Sequence, residues 1–250
     1  MNTFYKALAA ALLLAPLAII LLRAVPIHVY DGFESPRLSW IRWSRHRFVP
    51  GAVAPEDFIV RSGHRALAIT VHSGDRYEAA SEEGAATERD ELMESWWLYS
   101  HPGRTYVYSF SLFIPQDFAQ PSERLVIAQW KQLCWHCHPD NPVLAIHYDH
   151  GGLRVTRRDA TRTEELYRTN EDVRGRWLDF RFVIRFDPTA AGLVDATLNR
   201  TPIIHYRGPT TYLPPRGHLL HRVYFKTGLY RDALGQPPWT IYLDEYRKDQ

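Results

Sequence analysis

Hydrophobic and polar residues alternate along two long stretches of the chain with the two-residue period of a β-strand. The segment TYVYSFSLFIP places five apolar residues on one face: Tyr106, Tyr108, Phe110, Leu112 and Ile114. The segment WLDFRFVIRF does the same with Leu178, Phe180, Phe182, Ile184 and Phe186, and its other face holds Asp179, Arg181 and Arg185. Alternation with one polar face is typical of half-buried antiparallel strands. Both segments are therefore predicted to be strands that cover a common core.

Shorter segments of the same character follow one another along the chain, and turn signals such as DHGG, NRT and DPTAAG separate them. We predict strands at Phe58–Val60, Ala66–Val71, Arg124–Lys131, Val143–Tyr148, Leu153–Arg158, Val194–Leu198, Ile203–Tyr206, Arg222–Tyr230 and Thr240–Tyr246. Beyond the N-terminal segment, no long stretch has the 3.6-residue period of a helix. Many short strands at this spacing predict an all-β sandwich or jelly roll of antiparallel sheets.

The N-terminal segment is the exception to the β pattern. MNTFYK is short and basic, and an apolar run of sixteen residues follows it, from Ala7 to Leu22. This arrangement is typical of an export signal, and the run is short for a helix that spans a membrane. We expect residues 1–25 to be a signal peptide or a signal anchor. Residues 26–250 would then form one domain, either periplasmic or secreted.

Composition narrows the function classes. A chain of 250 residues with 45% hydrophobic residues can build one large core. A net charge of +2 argues against a general nucleic-acid-binding protein, which needs a basic excess. We expect a monomer without a nucleic-acid partner, in contact with a membrane only through its N-terminal segment.

Three predicted strands carry polar side chains that share a face. TERDEL sends Arg89 and Glu91 to one side. Strict alternation in Arg124–Lys131 places Gln129 and Lys131 together with Leu125 and Ile127, opposite Val126, Ala128 and Trp130. In YFKTGLYRD the shared face holds Tyr224, Lys226, Gly228 and Tyr230. Arg, Gln, Lys and Tyr side chains among aromatic residues suit a groove for an anionic polysaccharide.

The segment CWHCHPDNP follows the Gln129 strand and reads as a loop. Its two cysteines, Cys134 and Cys137, are open to three interpretations: a redox dithiol, part of a zinc site, or a structural pair. The redox interpretation expects a βαβ unit, and the zinc interpretation expects a second, distant pair of ligands. Neither is evident in the sequence, so a structural role in an exported chain is favoured.

The order Arg-x-Glu-Leu, Gln-x-basic and Tyr-Phe-Lys-x-Gly-x-Tyr resembles the heparin lyase I-like polysaccharide lyases and the related alginate and glucuronan lyases. DGFES and YLDEY resemble the first and last strands of that fold, and GRWLDFRFVIRFDPTAAGLVDATLNR resembles a hairpin of its convex sheet. The resemblance implies a concanavalin-like β-jelly roll that cleaves a uronate-containing glycan by β-elimination.

The resemblance also implies roles for the shared-face residues. Arg89 and Gln129 would neutralise the uronate carboxylate, because the transition state is enolate-like. Tyr230 would protonate the leaving oxygen and could also serve as the base, helped by Lys226. Glu91 would orient Arg89, and Tyr224 would contact the substrate.

The sequence departs from the family pattern at one position. The family usually carries His two residues after the Gln, where this chain has Lys131. Lys131 could be the base or could bind the carboxylate and leave both proton transfers to Tyr230. Among the histidines, His147 is better placed to replace the missing imidazole than His136 or His138, because it lies on a predicted strand.

No cofactor is required by this chemistry, but the resemblance allows a structural calcium ion near the chain ends. Its ligands would be Asp31, Glu34 and Asp244.

Other functions remain open at this point. A non-catalytic glycan-binding domain would share the fold. A glycoside hydrolase would need two carboxylates across the bond, yet Glu88 and Asp90 are predicted to face away from Glu91. A thiol or metal protein built on Cys134 and Cys137 is the weakest alternative.

Overall fold

The computed structural model describes residues 26–44, 47–76, 87–121, 124–133, 141–159, 162–212, 221–232 and 235–250. These residues form β-strands and a short 3₁₀ helix, Trp96–Leu98. The strands are β1 His28–Asp31, β2 Trp43–Ser44, β3 Val53–Glu56, β4 Ala66–Val71, β5 Thr87–Glu94, β6 Thr105–Phe113, β7 Leu125–Leu133, β8 Pro142–Asp149, β9 Gly152–Arg158, β10 Thr163–Thr169, β11 Trp177–Arg185, β12 Leu193–Leu198, β13 Thr201–Arg207, β14 Arg222–Asp232 and β15 Trp239–Asp249.

The strands build two antiparallel sheets. The eight-stranded sheet has the order β13-β12-β11-β6-β15-β4-β3, with β1 also paired to β15. We call it the back sheet. The seven-stranded sheet has the order β10-β9-β8-β7-β14-β5-β2. We call it the cleft sheet, because its outer face carries the cleft described below. The predicted all-β sandwich of antiparallel sheets is confirmed.

One hydrophobic core lies between the two sheets. The alternating apolar residues predicted for β6 and β11 all face it, and the back sheet supplies them from two neighbouring strands. The cleft sheet contributes Trp130, whose ring centroid lies 4.8 Å from that of Phe182 and 5.1 Å from that of Phe225. Packing of large rings from both sheets fixes the position of β7, the strand that carries Gln129 and Lys131.

Strand prediction failed for one segment that is a turn and for one edge strand. The predicted strand Phe58–Val60 is wrong. Its first two N–H groups lie against the Glu56 carboxylate, with Phe58 N to Oε2 at 2.8 Å and Ile59 N to Oε1 at 3.0 Å. This side-chain bonding favours a turn over a sheet ladder. Strand β10 was not predicted, because it is an edge strand with polar residues on both faces.

A β-bulge in β7 overturns part of the predicted alternation. The pairing with β8 shifts between Val126 and Ala128, so the strict two-residue period fails there. Leu125 and Ile127 therefore face the core and not the Gln129 side, and Val126 lines the cleft. Gln129 and Lys131 still share the outer face, as predicted.

The predicted signal, residues 1–25, lies outside the described residues. So do Cys134, Cys137, His136 and His138, and their predicted roles stay predictions. No helix in the described part of the chain is long and apolar enough to cross a membrane.

Candidate active site

A cleft of about 180 Å³ opens on the outer face of the cleft sheet. Six neighbouring strands supply its walls: β5, β14, β7, β8, β9 and β10. Its lining residues are Arg89, Arg124, Val126, Gln129, Lys131, Asn141, Pro142, Ala145, His147, Arg154, Thr156, Arg158, Thr163, Lys226 and Tyr230.

The lining is strongly cationic. It includes four arginines and two lysines, and no carboxylate appears among the described residues that line the cleft. Clefts lined by one sign of charge focus the field and attract ligands of the opposite sign. The cleft is therefore suited to an anionic ligand.

Glu91 lies beneath this surface and holds two of the lining side chains. It is 1% exposed and accepts hydrogen bonds from the Gln129 amide and from Lys226 Nζ, the latter at 2.6 Å. Burial opposes ionisation of Glu91, but its pKa is lowered because Lys226, Arg89 and the Gln129 amide stabilise the carboxylate. Glu91 thus positions Gln129 and Lys226 directly.

Tyr230 lies against two guanidinium groups. The Arg89 guanidinium carbon is 4.0 Å from the Tyr230 ring centroid, and that of Arg124 is 4.4 Å away. Arg124 Nη2 also donates to the Tyr230 hydroxyl oxygen at 3.1 Å and to Asp232 Oδ1 at 2.8 Å. Since Arg124 occupies an acceptor position of the hydroxyl, the phenolic proton can be donated to another group.

His147 lies on the cleft wall opposite Tyr230, since both residues pair with Val126 of β7. Burial, together with Arg154 and Arg124, lowers the pKa of His147 to about 4. The imidazole is therefore neutral at neutral pH. Its Nε2 lies 3.0 Å from Thr156 Oγ1, and its Nδ1 is buried without a hydrogen-bond partner.

Of the two remaining predicted residues, Lys131 lies in the cleft and Tyr224 lies outside it. Lys131 is half-buried and lines the cleft. Tyr224 lies beside it on β14 but packs outside the cleft, where its ring stacks on Tyr99 with centroids 4.9 Å apart.

The other acidic residues of β5 face away from the cleft, as predicted. Glu88 is buried and bonds Arg231 Nε at 2.8 Å. Asp90 is buried and accepts the Val49 N–H at 2.7 Å.

The residues proposed as calcium ligands do not fit a cation site. Asp31 accepts the Phe33 N–H and the Trp43 indole N–H, Glu34 accepts the His64 N–H, and both oxygens of Asp244 accept backbone N–H groups. No three His, Cys, Asp or Glu side chains of the described residues form a group that could hold a metal ion.

The sequence analysis missed several cationic lining residues. Arg154 and Arg158 alternate with Thr156 on β9 and line the cleft together. Their two-residue spacing was readable. Arg124 could not be predicted, because strict alternation assigns it to the face opposite Gln129. The bulge in β7 brings both side chains to the same cleft.

Comparisons with known proteins concern the family and the fold. The family model described as polysaccharide lyase matches residues 35–247. No curated protein matches the chain. The structure is similar to an endo-β-1,4-glucuronan lyase from the fungus Trichoderma reesei, with a TM-score of 0.66 and 13% identity over 89% of this chain and 94% of that one.

Two further solved structures share the architecture. An alginate lyase from Pseudomonas aeruginosa has a TM-score of 0.53 and 18% identity, over 78% of this chain and 87% of that one. The catalytic domain of a glycoside hydrolase family 131 protein from Coprinopsis cinerea has a TM-score of 0.55 and 16% identity, over 89% of this chain and 94% of that one. At such identities the likeness concerns the fold.

Proposed function

The chain belongs to the polysaccharide lyase family, and from this membership we propose that it cleaves a uronic-acid-containing glycan by β-elimination. One observation carries the proposal: Tyr230 lies against Arg89 and Arg124 in a cleft whose described lining residues include no carboxylate. A proton donor among cations is what an elimination beside a carboxylate requires.

The first requirement of the reaction is to neutralise the uronate carboxylate. The proton on C5 becomes easier to remove when cations and N–H donors stabilise the enolate-like transition state. Arg89 and Gln129 take this role. Glu91 holds the Gln129 amide through one N–H, and the second N–H of that amide is available to the substrate.

The second requirement is to move two protons. Tyr230 enters the reaction as the phenolate, which Arg89 and Arg124 stabilise. It takes the C5 proton and becomes the phenol, and the phenol then gives its proton to the oxygen that leaves C4, which restores the phenolate. Lys226 is bound to Glu91 and acts by positioning. Lys131 supplies charge toward the carboxylate.

The test is ultraviolet absorbance during incubation with a panel of uronate polysaccharides. Wild type should produce the conjugated double bond of the unsaturated product, and Tyr230→Phe should lose at least about a hundredfold in rate. Tyr242→Phe is the matched control, because this half-buried tyrosine lies in the back sheet. Its rate should equal that of wild type.

The identity of the base is tested by Lys131→Arg. Arginine keeps the positive charge but cannot serve as a base in a protein. If Tyr230 performs both proton transfers, Lys131→Arg should keep the rate within about tenfold, whereas Lys131→Met should raise KM. Loss of all activity in Lys131→Arg would assign the base to Lys131. A parallel His147→Gln variant tests the neutral imidazole for the same role.

Two alternatives give different outcomes. A glycan-binding domain without catalysis would bind a panel member without any rise in absorbance. A glycoside hydrolase would release reducing ends without unsaturation, but it needs two carboxylates across the bond. The described residues lining the cleft provide none.

The proposal extends to the location of the protein, its oligomeric state and its subgroup within the fold. We infer an exported monomer, periplasmic or secreted, and a relation to the heparin lyase I-like group within the fold. Cell fractionation and size-exclusion chromatography test the first two, and activity on heparin-like chains tests the third.

A further inference from the structure

A second groove, of about 470 Å³, adjoins the end of the cleft sheet at β2 and β5. We call it the aromatic groove. It is lined by Trp40, Trp43, Ser44, Met93, Ser95, Trp96, Trp97 and Tyr99. No charged residue is among these, in contrast with the six cations of the cleft. The two depressions therefore differ in the chemistry they can recognise.

The aromatic groove continues the face that carries the cleft. On β5, Met93 lies two residues beyond Glu91 and four beyond Arg89, which is about 13 Å along an extended strand. On β14, Tyr224 lies two residues beyond Lys226 and packs with Met93 and Tyr99 in one small cluster. The cleft crosses the sheet from β10 to β5, and the aromatic groove lies at the β5–β2 edge. A linear chain that leaves the cleft over β5 therefore meets the groove next.

Three of the four indole rings that line the groove are exposed and pack against one another, whereas Trp43 is buried. Trp40 is 63% exposed and Trp96 is 65% exposed. Trp97 donates its indole N–H to the carbonyl oxygen of Ile41 at 2.7 Å. Its ring packs edge-on against both neighbours, with centroids 5.5 Å from Trp96 and 6.5 Å from Trp40. A fixed, exposed aromatic surface is typical of a binding site.

We propose that the aromatic groove binds uncharged pyranose units of the glycan whose uronate occupies the cleft. This inference rests on the proposed function, and it names the substrate class as a heteroglycan of uronate and neutral sugar. The C–H groups on the face of a pyranose ring carry partial positive charge and pack against the negative face of an indole.

Charge decides between a neutral and an acidic unit. None of the described residues that line the aromatic groove is a cation that could pair with a uronate carboxylate. A carboxylate placed among these indole rings would lose water without a direct ion pair to the lining, and that loss is costly. A neutral sugar has only hydroxyl groups, which can remain turned to solvent while its ring covers the tryptophans.

The test uses cellohexaose, a neutral 4-linked oligosaccharide, with tryptophan fluorescence as the readout. Wild type should bind it, and Trp96→Ala and Trp40→Ala should each weaken binding by up to about tenfold. Phe58→Ala is the matched control, because Phe58 is an exposed aromatic residue outside the groove, at 91% exposure. Thermal melts verify that each variant folds.

The outcomes separate this inference from the proposed function. Tyr230→Phe should bind cellohexaose like wild type even where it forms no unsaturated product. Equal binding by wild type and both tryptophan variants, or no binding by wild type, would overturn the inference whatever the lyase assay shows. Binding of phosphatidylcholine vesicles that depends on Trp96 and Trp40, without binding of cellohexaose, would assign the groove to a membrane surface and overturn it as well.

Discussion

At the scale of single residues, the pKa values of two adjacent acidic side chains of β5 shift in opposite directions, because the side chains point to opposite faces of the sheet. Glu91 faces the cleft sheet's cations, and its pKa is lowered despite burial. Asp90 faces the other way and is fully buried. Burial, with Asp75 and Glu91 nearby, raises the pKa of Asp90 to about 8. Neighbours in sequence thus hold opposite protonation states at neutral pH.

This difference predicts a pH-dependent stability. Between about pH 4 and pH 8 the folded chain keeps the Asp90 proton that the unfolded chain releases. The free energy of unfolding should therefore fall as pH rises through this window, by up to about 1.4 kcal/mol per pH unit for this group. Asp90→Asn cannot titrate, so its stability relative to wild type should increase from pH 5 to pH 8. Urea denaturation at both pH values measures the change.

Asp172→Asn is the control for that series. Its bonds to Arg174 lower the pKa of Asp172 to about 2, so its stability relative to wild type should not change between pH 5 and pH 8. A flat difference for Asp90→Asn as well would show that Asp90 is ionised in the folded protein.

At the scale of strands, two bulges interrupt the pairing around the cleft. One lies in β7 between Val126 and Ala128, and the other lies in β14 between Thr227 and Tyr230. Gly228 supports the second bulge with a φ of 143°. A Cβ at this position would collide with the Asp90 carbonyl oxygen on β5. The strand can approach β5 this closely only where the residue is glycine.

Gly228→Ala is therefore predicted to unfold more easily and to lose activity. The forced separation of β14 from β5 should cost roughly 1–3 kcal/mol and displace Tyr230 from Arg89. Gly51→Ala is the control, because Gly51 also has a positive φ, of 90°, but nothing lies within 4 Å of its added Cβ. Denaturation and initial rates should separate the two variants. Equal effects would mean that backbone strain alone matters at Gly228.

Strand patterns predicted much of the fold and part of the site. The bulge in β7 explains the side chains that were assigned to the wrong face. Alternation in β6 and β11 predicted the core, because both strands are long and keep a strict period. It also placed Arg89, Gln129, Lys226 and Tyr230 on one face. It failed for Leu125, Ile127 and Arg124, because one inserted residue reverses the face and no local residue type announces it.

At the scale of the whole molecule, one buried ion pair joins the two sheets. Glu94 of β5 in the cleft sheet and Lys248 of β15 in the back sheet are both fully buried, with Nζ 2.9 Å from Oε1. The Glu94 carboxylate also accepts the Tyr246 hydroxyl at 2.6 Å and the Phe225 N–H at 3.0 Å. Burial lowers the Lys248 pKa, and Glu94 opposes that shift. The pair thus connects the strand of Arg89 and Glu91 to the opposite sheet.

Breaking this pair from one side should destabilise the whole sandwich. Lys248→Met leaves the Glu94 carboxylate buried without its cation, which costs about 3–5 kcal/mol, whereas removing both charges is often nearly neutral. The double variant Glu94→Gln with Lys248→Met should therefore be more stable than Lys248→Met alone. Arg207→Met, which breaks an exposed pair with Asp195, should have a much smaller effect. A double variant that loses the sum of both single losses would show that Glu94 and Lys248 contribute independently and that their pairing is not what joins the sheets.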